Sequence, residues 1–416
     1  MDLKARIAAA NDEAFRRMAA ADPVLVDVAP AGEVIPGLGD RMILHSGPPV
    51  TWERMCGAQR GAAVGMCLFE GWAADPAAAE RMLAGGEIAL EPNHHHAAVG
   101  PMAGTITRSM AVWVVQNRAF GNLAFCRQVE SFQQFGDYGS QALAQLAQWR
   151  DVWAPALGSA VRRMGGVPLK ALIARALQMG DEMHNRVVAS SSLFANAVAP
   201  ILVDCGLPRE QLVSTLYYTG NHPFLFLGLS MAAAKATMDP VRGIEASTVV
   251  TAMARNGTDF GIQVSGLDGE WFTAPAPRVQ GLLLPGWKEE DAGLDMGDSA
   301  ITETAGWGGF ALGGAPGILA FTGGTAAEAL AYSRDMRRIT VGLSPDYRMP
   351  ALDFEGTAMA IDIRKVVQAG LVPVIDTAIA HREPGHGIIG GGIVRPPMAC
   401  FTGALERFSA AYRKEG

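Results

Sequence analysis

The sequence predicts an α+β protein, with mixed α/β regions at both ends and a helical region between them. Three observations carry this. Short apolar runs separated by glycine and proline turns fill both ends. The middle holds successive stretches of helical length without strand-like runs. Strands do not alternate regularly with helices, as a doubly wound sheet would require. At 416 residues the chain is too long for one compact core, and it divides on this reading into residues 1–124, 125–255 and 256–416.

Leu3, Ile7, Ala10, Ala14 and Met18 recur at three- and four-residue spacing, predicting an amphipathic helix over residues 2–20. Pro23 opens a strand-length run at 24–28, and a second run at 42–44 ends in the turn His45-Ser46-Gly47-Pro48-Pro49. Asp75-Pro76 before residues 77–83, and Gly85 after them, are the start and stop signals of a helix. Residues 111–115 read as a buried strand. Helices are expected from 139 to 254, broken at Asp181, at Asp204 and Pro208, and over 220–223. After Asn256-Gly257, strand-like runs return at 260–264, 281–284, 317–321 and 371–375, with helices at 326–338 and 361–369.

Charged residues make up 18 % of the chain and hydrophobic ones 49 %, which excludes a disordered polypeptide. The mean hydropathy of +0.16 calls for a check on membrane spans. Residues 187–203 carry three serines, Asn196 and Pro200, and residues 212–234 are interrupted by Gly220-Asn221-His222-Pro223, so neither is a continuous span. The N-terminal residues mix both charge signs and lack the apolar centre of a secretory signal. Five scattered cysteines without a CxxC pair fit reduced thiols, and a cytoplasmic location is expected. A net charge of −7 without a basic stripe argues against nucleic acid.

Polar residues gather in glycine-rich segments. His94-His95-His96 lies in a loop bounded by Pro92 and Gly100-Pro101, where imidazoles serve as base, donor or ligand. No HExxH or similar spacing supplies further ligands, so no metal is expected. Asp181, Glu182, His184 and Arg186 open the most apolar helix and call for partners or a substrate. Gly323-Gly324-Thr325 precedes a helix and offers an anion backbone N–H groups. Residues 381–396 combine His381, Glu383, His386 and Arg395 with the glycines 390–392, which let a backbone approach a ligand. Residues 295–303 form a similar cluster.

The segments His45-Ser46-Gly47-Pro48-Pro49, Cys67-Leu68-Phe69-Glu70-Gly71-Trp72, Val99-Gly100-Pro101-Met102, Gly180-Asp181-Glu182 and Thr251-Ala252-Met253-Ala254-Arg255-Asn256-Gly257 resemble the YlbE-like proteins, as do residues 295–304 and 380–401. That family was long classed as a domain of unknown function. The resemblance implies an α+β fold with a helical insert. It also implies an oligomer with an FdrA-like subunit and a third small subunit, and carbamate kinase as pathway neighbour. The activity implied is oxamate carbamoyltransferase, which converts oxalurate and phosphate to oxamate and carbamoyl phosphate in ureide catabolism, with no cofactor.

Such chemistry needs a base, for which His94, His95 or His381 are the candidates. Anionic substrates need donors, for which Arg395, Arg255, Asn256, Gly391 and His184 are candidates, and Glu383 and Asp181 complete the candidate substrate-binding residues. A relative with another carbamoyl or amide substrate, and a non-catalytic subunit of an FdrA-like complex, are the alternatives.

Overall fold

A computed structural model describes residues 2–129 and 135–412. Helix α1 (Leu3–Ala20) starts where Asp2 accepts the Ala5 N–H at 2.8 Å, and it buries Ile7, Ala10, Ala14 and Met18, the stripe predicted by their spacing. Strand β1 (Pro23–Pro30), a single turn α2 (Ala31–Val34), β2 (Met42–His45), α3 (Gly57–Phe69) and α4 (Pro76–Ala84) follow. Asp75 caps α4 through the Ala78 N–H, and Pro76 stands in its first turn, where a missing N–H costs nothing. Next come β3 (Ala89–Pro92), β4 (Ala98–Val99), β5 (Ala111–Asn117) and β6 (Leu123–Arg127). Strands β2 and β3 pair in parallel.

Residues 140–238 hold α5 (Ser140–Gln148), α6 (Ala154–Arg163), α7 (Leu169–Gln178), α8 (Val188–Asp204), α9 (Arg209–Asn221) and α10 (Leu227–Met238). A short strand β7 (Val167–Pro168) completes a sheet of order β4-β6-β5-β1-β7. Every residue of α10 is buried, so its apolar sequence reflects a helix inside the protein. Among the described residues, no helix is long and apolar enough to cross a membrane. One hydrophobic cluster joins Leu25 and Trp113 of the sheet to Phe194, Phe226 and Leu229 of the helices. The helices and the first sheet are therefore layers of one core.

The last part contains β8 (Val250–Asn256), β9 (Asp259–Val264), β10 (Phe272–Pro275), β11 (Gln280–Leu283), β12 (Met296–Gly297), α11 (Ile301–Thr304), α12 (Leu319–Thr322), α13 (Ala326–Met336), β13 (Thr340–Met349), β14 (Glu355–Ile361), α14 (Ile363–Ala369), β15 (Ile375–Ala380), β16 (Ile388–Val394) and α15 (Met398–Tyr412). They form sheets of order β10-β9-β8-β12 and β11-β16-β15 and the pair β13-β14. A second core cluster lies here, and α1 gives Ile7 and Ala10 to it but Ala14 and Met18 to the first. The class is α+β, as expected.

Local departures have physical causes. Residues 250–254, expected within a helical region, belong to β8, where burial of all seven residues leaves no alternation to mark a strand. Residues 317–321 are helical turns, because Pro316 presets the first turn of a helix. Of residues 371–375, only Ile375 is in a strand. The glycines 390–392 form no loop; they lie in β16, bonded to β11 on one side and β15 on the other.

Candidate active site

The loop between α7 and α8 carries the first group of polar side chains. Asp181 accepts the Ala189 and Ser190 N–H groups at 3.1 and 2.7 Å and so caps α8. Glu182 accepts the N–H groups of His184 and Arg186, which folds the loop around its carboxylate. This leaves His184 almost fully buried, with Nδ1 2.9 Å from Glu303 Oε1 and 3.1 Å from Oε2.

Glu303 stands on the single turn α11 and also accepts the Thr302 hydroxyl at 3.0 Å and the Gly309 N–H at 2.9 Å. Gly308 is required beside it, since a Cβ there would come within 2.0 Å of Glu303 Oε1. Asp376, on β15, accepts Asn185 Nδ2 at 3.1 Å through Oδ2, whereas its buried Oδ1 has no hydrogen-bond partner. His184, Glu303 and Asp376 offer ligand atoms within 4.8 Å of one another, the one such metal-sized grouping among the described residues.

Arg255 of β8 lies behind this group. Its guanidinium binds Asp295 through Nε and Nη2 at 2.7 and 3.0 Å, and donates to Gly297 O, Ser299 Oγ and Thr377 Oγ1 at 2.8, 3.2 and 3.0 Å. Because Arg255 fills an acceptor position on each hydroxyl, Ser299 and Thr377 keep their own protons to donate.

Burial acts strongly here. It pushes Asp376 up to about 7 and Glu182 well above the usual carboxylate range. Burial alone would lower His184 and raise Glu303, but their mutual attraction outweighs it and holds them as an ion pair.

His184, Asn185, Ser299 and Thr377 line an inner cavity of about 30 Å³, room for roughly one water-sized group. Val129, Phe135, Phe224 and Ile388 border it and also border a vestibule of about 700 Å³. Trp153 and Tyr218 stack at 4.0 Å along the vestibule wall. A small polar end behind a wide apolar entrance is a common form of substrate site.

The sequence-derived candidates do not all meet. His184 and Arg255 come together through Ser299 and Thr377. His94 is buried with neither ring nitrogen hydrogen-bonded, edge-on to Trp271 at 5.6 Å, and burial holds it well below the usual imidazole range. Its Nε2 is 3.6 Å from Asp298, whose carboxylate takes the N–H groups of Gly47 and Gly100 and the Asn93 amide. His95 is exposed between Glu91 and Trp271. His381 packs on His386 at 4.2 Å and on Trp287 at 5.0 Å, and its Nδ1 accepts the N–H of exposed Glu383.

Arg395 is exposed over the Tyr332 ring, beside a separate 340 Å³ pocket. Asn256 ties Pro48 O to the Thr258 and Asp259 N–H groups. Gly391 pairs with Leu282 and Ala378, which leaves its backbone no free groups for a ligand. At Gly323-Gly324-Thr325, Thr325 and Glu328 close a capping box that occupies the helix start.

Residues 88–299 match the family described as "Oxamate carbamoyltransferase subunit AllG". The chain is 44 % identical to the Escherichia coli K12 protein of that name over 96 % of its own length and 97 % of the relative's. The chain belongs to the AllG family.

A second E. coli K12 relative, "Uncharacterized protein YahG", is 46 % identical over 98 % of this chain and 87 % of that one. A crystal structure of a conserved protein of unknown function from Enterococcus faecalis V583 superimposes with a TM-score of 0.97 at 44 % identity, covering 98 % and 99 % of the two chains. The matched stretch of this AllG-family chain includes His184, Arg255 and Ser299 but stops short of Glu303 and Asp376. Sequence reasoning passed over Asp376 and Thr377. The signal for both was a lone acid in an otherwise apolar run, Val372 to Ala380, which has to find a partner once buried.

Proposed function

We propose that this chain is the subunit of an oxamate carbamoyltransferase that holds the carbamoyl group, acting with an FdrA-like partner in a hetero-oligomer. In the reaction, a phosphate oxygen attacks the carbamoyl carbon of oxalurate. The tetrahedral intermediate then expels the oxamate nitrogen, which leaves protonated, and carbamoyl phosphate remains. The observation that carries the reading is the pair of hydroxyls, Ser299 and Thr377, whose acceptor sides are filled by Arg255. Their protons are free to be donated to a substrate oxygen in the inner cavity that they line, as an oxyanion needs. His184, fixed by Glu303, brings an imidazole to the same cavity. The near-full-length similarity to AllG supports the substrate assignment.

The test is carbamoyl phosphate formation from oxalurate and phosphate, coupled to carbamate kinase, with the purified chain alone and with its partner. Activity in the mixture that is lost with Ser299→Ala supports the reading. An assembled complex without activity removes oxalurate as substrate. A second reading, another N-carbamoyl compound as substrate, is tested by replacing oxalurate in the same assay; the chain is 46 % identical to YahG, whose name gives no substrate, against 44 % to AllG.

A further inference from the structure

A site for oxamate and phosphate must attract anions, yet the two cations that touch the acids behind the inner cavity, Arg255 and His184, are already paired with Asp295 and Glu303. Glu182, Asp295, Glu303 and Asp376 are all at least 98 % buried. Arg255 is spent on Asp295, and the Glu182 carboxylate on the two N–H groups of its own loop. Asp376 lies beside the His184–Glu303 pair, with the ligand atoms of all three within 4.8 Å of one another. Two carboxyl groups forced together in a buried site need a proton or a cation between them.

We infer that His184, Glu303 and Asp376 form the binding site of a divalent transition-metal ion, which supplies the positive charge that the cavity lacks. The donors are a ring nitrogen and two carboxylates, the mixture that suits manganese, zinc or iron(II) better than calcium or magnesium. Their ligand atoms lie within 4.8 Å of one another, while bonds of about 2.1 Å place neighbouring ligands roughly 3 to 4 Å apart. Small side-chain movements suffice to close on an ion. Asp376 Oδ1 is wholly enclosed and has no hydrogen-bond partner, as expected of an atom kept for a ligand.

The outer support of a metal site is present too. Thr302 and the Gly309 N–H hold Glu303, and Asn185 holds Asp376. Three protein ligands leave positions open, and His184 lines the cavity, so an ion here would meet a substrate carboxylate or phosphate.

This inference rests on the proposed function for the ion's purpose but not for its binding, and the experiment separates the two. The whole chain, stripped with a chelator, is titrated calorimetrically with MnCl2 and with ZnCl2. One ion per chain is expected. Asp376→Asn and Glu303→Gln should weaken binding by more than the roughly 10- to 100-fold typical of losing an outer-shell partner, whereas Glu87→Gln, an exposed acid, should not change it. Circular dichroism checks that the variants fold. If they do not, the visible absorption of the wild-type cobalt(II) complex decides, because ligation by imidazole and carboxylate creates new bands. No uptake at millimolar metal, no new cobalt band, or equal binding by folded variants overturns the site. Stoichiometric binding without oxalurate turnover leaves the site standing and removes the proposed function. Full turnover by the chelated complex leaves the proposed function standing and removes the ion's role in it.

Discussion

Arg255 grips Asp295 with two parallel hydrogen bonds, Nε to Oδ2 at 2.7 Å and Nη2 to Oδ1 at 3.0 Å, and neither side chain reaches solvent. The pair is anchored on β8 and reaches across to β15 through Thr377. Asp295→Ala leaves a buried guanidinium without its counter-charge. It should lower the unfolding free energy by about 3–5 kcal/mol, read from urea titration of the purified chain.

Ser299→Ala and Thr377→Val each remove one donor from the cavity and leave Arg255 in place. In the reconstituted complex each should reduce kcat about 100-fold with little change in KM. His95→Ala and Arg395→Ala, which alter exposed groups outside the cavity, should stay within about twofold, since exposed substitutions rarely disturb a packed site. A reversed pattern in the same assay would return the chemistry to the histidine loop.

Two buried groups set opposing pH dependences. Burial holds His45 at about 4, below its ordinary 6.5, so its contribution to stability is full above 6.5 and is lost as pH falls toward 4. Burial pushes Asp298 to about 6 from 3.8, so its contribution is full below 3.8 and is lost as pH rises through 6. Each is worth about 3 kcal/mol, and the two nearly offset each other. Asp298→Asn removes one side. Its stability deficit against the wild type should widen by about 3 kcal/mol from pH 7 to pH 4, measured by chemical unfolding at each pH.

Glycines that resemble a ligand-binding loop in sequence serve close packing in the sheet. A Cβ at Gly281 would lie 2.1 Å from the Gly391 carbonyl oxygen and 2.3 Å from the Gly392 Cα, both backbone. At Gly391 it would meet the Phe321 ring, a half-buried side chain that can swing aside. Gly281→Ala should therefore cost about 1–3 kcal/mol, and Gly391→Ala clearly less, by thermal or urea unfolding.

Elements with their own punctuation were legible in the sequence. The stripe of α1 and the Asp75-Pro76 start of α4 are local signals, and both helices stand where those signals place them. Strand β8 was not legible, because total burial erases the alternation on which a strand is recognised. The candidate site was half legible. His184 and Arg255 stood out as polar residues beside apolar runs. The groups beside His184, Glu303 and Asp376, come from elements 119 and 192 residues beyond it, and no local pattern links them. The three adjacent histidines drew attention by composition, yet the fold turns their rings toward Asp298, Glu91 and Pro36.

Helix α10 has a further consequence for motion. Ser230 on this wholly buried helix donates to Met183 O at 2.8 Å, the carbonyl just before His184. Met183 itself is held at a φ of 77°, a conformation a side chain adopts only where its surroundings compel it. The segment that presents the imidazole is thus tied to a helix inside the core, where amide hydrogens are expected to exchange slowest. Its opening is expected to require unfolding of the core, so the proposed reaction would draw its adjustments from the vestibule side, where Phe224 and Ile388 border both the vestibule and the inner cavity.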